Sequence, residues 1–313
     1  MKHTPAAVSN TPFRKAKSGG PTDPKGRRVD LPNLLGMDFG EYGAWTSYRA
    51  FGEENAGAAA AAAEAAGLGT FWLGGSPQLA QVRPLLEGSE KLTVATSVVN
   101  IWAYDPADLA REYTELEADF PGRVCVGIGV GHPEATSDYK RPLTALEGFL
   151  DGLDAAAETI PVERRIIAAL GPKMLAMSAR RSLGTIPYFS SVDHTRAARA
   201  AVGPDALVIP EVAYVLDEDV ERARATARRY ASLYLGLRNY TNALLEHGFE
   251  GADIEGGGTD RLIDHVIPHG SATDVATTVR AHREAGADHV ALQALGAEGV
   301  PGEEWAALVK ALA

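Results

Sequence analysis

Gly171, Pro172 and Lys173 stand between an apolar run, Arg165–Leu170, and a stretch with helical spacing, Lys173–Arg181. The run has the length of a buried strand, and the glycine–proline pair breaks it. Strand, turn and helix in so few residues leave the helix N-terminus facing out of the strand's carboxyl end. Unpaired N–H groups and the positive end of the helix dipole meet there, which suits an anion. Pro172 fits a first helical position, where an N–H would have had no intrahelical partner, and Lys173 adds a full charge. The stretch reads as a phosphate grip. It also fits an ordinary βα turn that binds nothing.

A second set surrounds the run Arg123–Val130, RVCVGIGV. His132 lies just past it and Glu134 two residues further on. A histidine at the carboxyl end of a barrel strand sits where such folds carry their chemistry and can pass a proton near neutral pH. A solvated loop side chain is the plainer alternative. Gly127, Gly129 and Gly131 fail the dinucleotide pattern, because position 132 is His and no helix follows at once. Alternation of Gly127 and Gly129 still leaves one strand face bare, open to a flat ligand or to tightly packed neighbours. Thr96 to Asn100 end another strand with polar residues, and Thr96 and Ser97 could bond a ring edge or cap the next turn. Trp45, Trp102, Tyr104 and Tyr188 fall at or just beyond predicted strand ends. There they would wall an apolar pocket for a planar substrate, or plug the mouth.

Other chemistries are excluded. The single cysteine, Cys125, allows no internal disulfide and no multi-cysteine metal site, and reads as a small buried hydrophobe. His265 and His269 are four apart, but Pro268 intervenes and the glutamate of a zinc-protease helix is missing, so no metal site is expected. No nucleophile elbow and no Walker loop occur. Gly256–Gly258 lacks a following Lys-Ser/Thr and reads as a mobile loop.

The elements that must position these residues alternate. Strands are predicted over 41–47, 69–75, 91–100, 123–130, 165–170, 185–189, 206–216 (with a break at Pro210) and 289–295. Helices are predicted over 53–67, 78–86, 107–119, 143–158, 173–181, 192–201, 217–247, 262–266, 273–285 and 303–312, with a glycine-rich loop over 250–258. Eight β units with helices between them predict an α/β fold, a (β/α)8 TIM barrel. Residues 1–38 read as a disordered or loosely docked tail, with 31–39 touching the body, and 39–313 as one barrel domain.

The chain has 313 residues, 45% hydrophobic and 23% charged, with a formal net charge of −11. That suits a globular protein with a large core and argues against nucleic-acid binding. Positive charge gathers in the first thirty residues, where Lys2, Arg14, Lys15, Lys17, Lys25, Arg27 and Arg28 face two aspartates. No apolar run is long enough to span a membrane and no signal-peptide core follows Met1, so a cytoplasmic protein is expected.

With these stretches in place, the chain resembles the luciferase-like monooxygenase superfamily, and within it the deazaflavin branch that uses coenzyme F-420. The resemblance covers about residues 41–312 and rests on an ordered set: GAWTS (43–47), FWLGGSP (71–77), VATSVVNIWAYDP (94–106), FPGRVCVGIGVGHPE (120–134), RPLTALEGFLDGLD (141–154), AALGPKM (168–174) and AGADHVALQAL (285–295). It implies a (β/α)8 barrel with insertions, commonly dimeric. A non-prolyl cis peptide, here Ser97–Val98, would prop the ring, with Thr96, Asn100, Gly129 and Gly131 beside it. Ala168, Ala169, Gly171, Pro172, Lys173 and Met174 would hold the phosphate. Trp45, Trp102, Tyr104 and Tyr188 would wall the substrate, with His132 as proton donor. Some relatives carry an Asp-His pair after the second strand. Gly74-Gly75-Ser76 stands there instead, so their acid–base scheme does not transfer. The expected activity is hydride transfer between F-420 and a small organic substrate. An FMN-dependent monooxygenase using O2, or a non-catalytic flavin-binding protein, are the alternatives. Loops 138–141 and 250–258 would choose the substrate.

Overall fold

A computed structural model describes residues 37–132, 139 and 141–313. Glu134, positions 138 and 140 of the loop 138–141, and residues 1–36 of the tail lie outside the described residues. The strands are β1 (Tyr42–Thr46), β2 (Thr70–Gly74), β3 (Thr93–Ser97), β4 (Val99–Asn100), β5 (Val124–Gly129), β6 (Arg165–Ile167), β7 (Gly184–Thr185), β8 (Leu207–Val208), β9 (Glu211–Tyr214) and β10 (Val290–Ala294). All of them pair in parallel. β3 and β4 are two pieces of one strand, both on β5. β8 and β9 are likewise one strand broken at Pro210, whose missing N–H cannot join a ladder. β8 pairs with β7 and β9 with β10. Glu211 N–H donates to Pro187 O at 2.9 Å and Ala291 N–H to Pro210 O at 3.0 Å, so pairing runs through the break and closes the sheet. With β1 on β10, the result is an eight-stranded parallel barrel.

Thirteen α-helices are described: α1 (Tyr48–Phe51), α2 (Ala56–Ala65), α3 (Arg83–Glu87), α4 (Pro106–Asp119), α5 (Pro142–Ala155), α6 (Pro172–Arg181), α7 (Val192–Val202), α8 (Val220–Leu235), α9 (Arg238–Glu246), α10 (Gly251–Ile254), α11 (Asp260–Val266), α12 (Ala272–Glu284) and α13 (Gly302–Leu312). Many begin where the sequence supplies an N-cap. The side chains of Asp105, Ser191, Asp219, Thr259 and Ser271 each accept a backbone N–H of the first turn. The long helical pattern over 217–247 is two helices, interrupted at Gly236-Leu237, where the weakest helix former other than proline lets the chain turn. The expected loop over 250–258 contains α10, whose start is fixed by a capping box between Glu250 and Asp253. Helices α8 to α11 form an insertion after the seventh barrel strand, with an apolar cluster of their own that includes Ala227, Ala231, Tyr240 and Leu262.

The barrel interior is filled by Trp72, Ala95, Cys125, Ile166, Ile209 and Ala291. Burial pushes the Cys125 thiol up to about 12, so it is an inert hydrophobe. Phe39 closes the bottom, stacked on Trp72 with centroids 5.8 Å apart. Met37 is only 2% exposed, packed on the body within the stretch 31–39. Among the described residues no helix is long and apolar enough to cross a membrane.

Candidate active site

The site is built on a fault in one strand. Val94 and Ala95 lie opposite Val124 and Cys125, whereas Val99 and Asn100 lie opposite Ile128 and Gly129. One extra residue therefore sits on the β3–β4 side, a bulge at 96–98. The Ser97–Val98 peptide within it is cis, at the position the resemblance implies. The Thr96 hydroxyl donates to Gly127 O at 3.0 Å and accepts Gly127 N–H at 2.9 Å, standing in for the interrupted ladder. Thr96 is fully buried by this, and its hydroxyl is not offered to a ring edge.

Of the two readings of the bare face of β5, tightly packed neighbours is the one found. A Cβ on Gly127 would lie 2.0 Å from Thr96 O, and one on Gly129 would lie 2.5 Å from Val98 Cγ2. The extra residue presses the Thr96 carbonyl and the Val98 side chain onto β5, and only glycine leaves room. The two glycines seat the bulge, and half-buried Ser97 and Val98 are what the bulge presents.

Trp45 lies against Gly74, where a Cβ would come within 2.1 Å of its ring. Its Nε1–H donates to Ser97 Oγ at 2.9 Å, and its ring is 5.0 Å from that of Tyr188. Trp102 donates Nε1–H to Val130 O at 2.7 Å, and its backbone N–H donates to Asn100 Oδ1 at 3.2 Å. Gly131 follows with a φ of 63°. Tyr104 does not join this wall. The chain is extended as it leaves the short turn at 101–103 and sends the Tyr104 ring toward α4. There its hydroxyl accepts Leu79 N–H at 2.6 Å and donates to Glu112 at 3.1 Å. It packs in the layer between barrel and helices.

His132 Nδ1 is 3.1 Å from Asn239 Oδ1, and its ring is 5.3 Å from Tyr240. An amide oxygen only accepts, so this bond puts the proton on Nδ1. The insertion thus brings α9 onto the wall that carries Tyr188, whose ring is 6.3 Å from Tyr240. A polar cluster missed in the sequence lies beneath. Tyr188 donates to Gln293 Oε1 at 2.9 Å, and its oxygen lies 2.8 Å from Tyr230 and 3.0 Å from Tyr234. Glu211, 1% exposed, accepts Phe189 N–H at 3.2 Å. Signals existed for these: Glu211 is the only charge in ALVIPEVAYVL, Gln293 the only polar residue in VALQAL, and Tyr230 and Tyr234 are spaced four apart on one helix face.

At the end of β6 the chain turns into α6. Gly171 caps the helix in an extended conformation with no side-chain bond, and a Cβ on it would meet no atom within 4 Å. The first helical bond is Leu175 N–H to Gly171 O at 3.0 Å, so the preceding amides have no intrahelical acceptor. Pro172 and Lys173 are exposed. Ala168 packs with the barrel interior. Ala169 packs the other way, with Leu175, Ala198 and Val208, and offers the mouth only backbone. Met174 is partly buried against the same cluster. Asp154 on α5 binds both Arg165 at the start of β6 and Arg181 at the end of α6, fixing helix to strand. A half-buried seat at 97–98 and an open, positive helix end match the needs of an apolar ring with an anionic tail. Among the described residues no cluster could hold a metal ion.

Comparison with known proteins supplies the family and the fold. The family description "luciferase-like monooxygenase" matches residues 35–289. The chain belongs to that family. It is therefore an enzyme of the flavin- or F-420-dependent oxidoreductase and monooxygenase kind. No curated protein sequence matches it. Among solved structures, an F-420-dependent secondary alcohol dehydrogenase bound to an F-420–acetone adduct superposes with a TM-score of 0.68 at 16% identity, over 87% of this chain and 99% of that one. The F-420-dependent tetrahydromethanopterin reductase of Methanopyrus kandleri gives 0.64 at 15% identity, covering 86% and 96%. The FMN-bound oxygenating constituent of 3,6-diketocamphane monooxygenase from Pseudomonas putida gives 0.63 at 13% identity, covering 86% and 95%. At such identities the likeness is one of fold.

Proposed function

We propose that this luciferase-like protein is a cytoplasmic, homodimeric oxidoreductase that moves a hydride between coenzyme F-420 and a small organic substrate. The observation that carries the reading is the pairing of the bulged Ser97–Val98 seat with the open N-terminus of α6. When bound, the deazaflavin ring supplies a two-electron hydride carrier. The protein's part is to hold and orient. Val98 would support the ring, and Trp45 fixes Ser97 by its indole N–H. Asn100 and Gly131 flank the ring. The 171–174 turn, with Lys173, takes the phosphate.

Openness at α6 favours F-420 over FMN. The F-420 phosphate is a diester with a single negative charge, and its chain must continue outward. A grip with exposed Pro172 and Lys173 leaves that exit. FMN ends in a dianionic phosphate, which a more enclosed and more cationic site would suit better. Trp45, Trp102 and Tyr188 wall the substrate, beside His132, whose ring Asn239 holds.

Reduced F-420 mixed anaerobically with the protein and a panel of small aldehydes and ketones tests this. Oxidation of the cofactor that depends on protein and carbonyl is the expected result. Oxygen uptake driven by reduced FMN, with no turnover of F-420, would assign the chain to the monooxygenases instead.

A further inference from the structure

We propose that Glu211 is the proton store of this enzyme, a neutral carboxylic acid that exchanges its proton with the substrate through the hydroxyls of Tyr230 and Tyr188. The inference rests on the oxidoreductase reading above and adds to it the source of the proton that accompanies the hydride.

Glu211 starts β9 in register with Ala291 of β10, one strand step below Gln293. It is 1% exposed, inside the barrel and under the mouth. Oε2 accepts Phe189 N–H, and Oε1 has no hydrogen-bond partner. A carboxylate left so poorly solvated is strongly disfavoured, and the neutral acid is not. Burial pushes this carboxyl up to about 8, against the opposing pull of the Phe189 amide and the Tyr230 hydroxyl. The titratable groups acting with it are all phenols: Tyr188 beyond β7, Tyr230 and Tyr234 on α8, and Tyr240 on α9. Burial raises each of them, so they stay protonated and serve as carriers rather than as bases. Arg49 acts on Tyr234 from the far side of the cluster.

From this acid a path leads outward. The Tyr230 hydroxyl is near enough to act on the carboxyl, its oxygen is 2.8 Å from that of Tyr188, and Gln293 Oε1 accepts from both. Half-buried Tyr188 rests against Trp45, which is bonded to Ser97 in the seat. A carbonyl that gains a hydride needs one proton at its oxygen. Its oxygen takes the Tyr188 proton, Tyr188 is refilled from Tyr230, and Tyr230 from Glu211, which ends as a carboxylate. Alcohol oxidation runs the same transfers backward. His132 on the outer wall then orients the substrate and need not release a proton.

The cofactor-free protein gives the first test. A wild-type minus Glu211→Gln infrared difference spectrum at neutral pH should contain the C=O stretch of a protonated carboxylic acid. That band should fade only as pH passes about 8. A carboxylate signature at neutral pH overturns the proposal whatever the cofactor. In the loaded enzyme, Glu211→Gln and Tyr188→Phe should each slow turnover by about 100-fold or more while leaving cofactor affinity unchanged. The double variant should be no slower than either single one, as for groups acting in series. Wild-type turnover and pH profile in Glu211→Gln, or losses that simply add, overturn the relay. Should Glu211→Gln not fold, Tyr230→Phe, which deletes one hydroxyl, carries the same comparison. Failure of the wild type to bind any ring cofactor would count against the functional reading, and the infrared band would still decide the state of Glu211.

Discussion

Two residues with no functional group decide the geometry of the seat. Gly129 leaves room for Val98, so Gly129→Ala must displace a short, β-branched side chain. The fold should tolerate this, because the clash falls on one side chain near the mouth. Cofactor affinity should drop by tenfold or more, about 1.4 kcal/mol, measured by equilibrium titration against the wild type. Thr96→Val keeps volume but removes both bonds to Gly127. With the Gly127 N–H buried and unpaired, stability should fall by about 1–3 kcal/mol, read from the denaturant midpoint. Only part of this was legible in sequence. The polar ending Thr96–Asn100 and the alternating glycines marked the right two strands. Their relation, one filling the other's gap, depends on a register shift that no single strand records. The cis bond came from likeness to a family, since residue types do not announce it. Tyr104 misled because position relative to a strand end fixes where a ring starts, not the direction in which a short turn then sends it.

In the proposed function, helix α6 can grip a phosphate only while it is held against its strand. Asp154 does this by binding Arg165, whose side chain is 2% exposed, together with Arg181. Asp154→Asn strands a buried guanidinium. The expected loss is about 2–3 kcal/mol, below the 3–5 of a fully buried pair because Asp154 is 45% exposed. Denaturant unfolding would check it. Lys173→Glu leaves the helix in place and reverses the charge at its mouth. F-420 affinity should fall about tenfold or more at low salt, with a smaller difference at high salt, where an exposed charge is screened. Elements were the most legible level. Caps such as Asp105-Pro106 and Ser191, and apolar runs such as RVCVGIGV, state their structure locally. Boundaries failed where tertiary contacts take over. Gly236-Leu237 splits a continuous helical pattern, because a glycine and the contacts of the insertion override a run of helix formers.

Across the molecule, stability should peak near neutrality for opposing reasons. Burial lowers His194 and His289 from 6.5 to about 4 and His282 to about 3. Below pH 6.5 the unfolded chain takes up protons that the folded one refuses, so acid destabilises. Asp154 and Asp264, held below their usual range by arginine partners after partial opposition from burial, act in the same direction at lower pH. Glu211 has the opposite sign. The folded chain keeps its proton up to about 8 and the unfolded chain loses it near 4.5, so the stability it lends is present below 4.5 and fades as pH climbs through 8. Three histidines outweigh one glutamate on the acid side. The thermal midpoint should therefore fall as pH drops below about 6.5 and decline again toward 8, with the second slope flattened in Glu211→Gln. Circular-dichroism melts across this range would check both limbs. The proposed function needs one arrangement, a bulged seat for a flat ring together with the open end of a helix. Parallel equilibrium titrations with F-420 and FMN, followed by the ring's own absorbance, test it most directly. Saturable one-to-one binding of F-420, much tighter than FMN and weakened by Gly129→Ala and Lys173→Glu, is the predicted result. FMN bound more tightly than F-420, or F-420 binding indifferent to both substitutions, would contradict it.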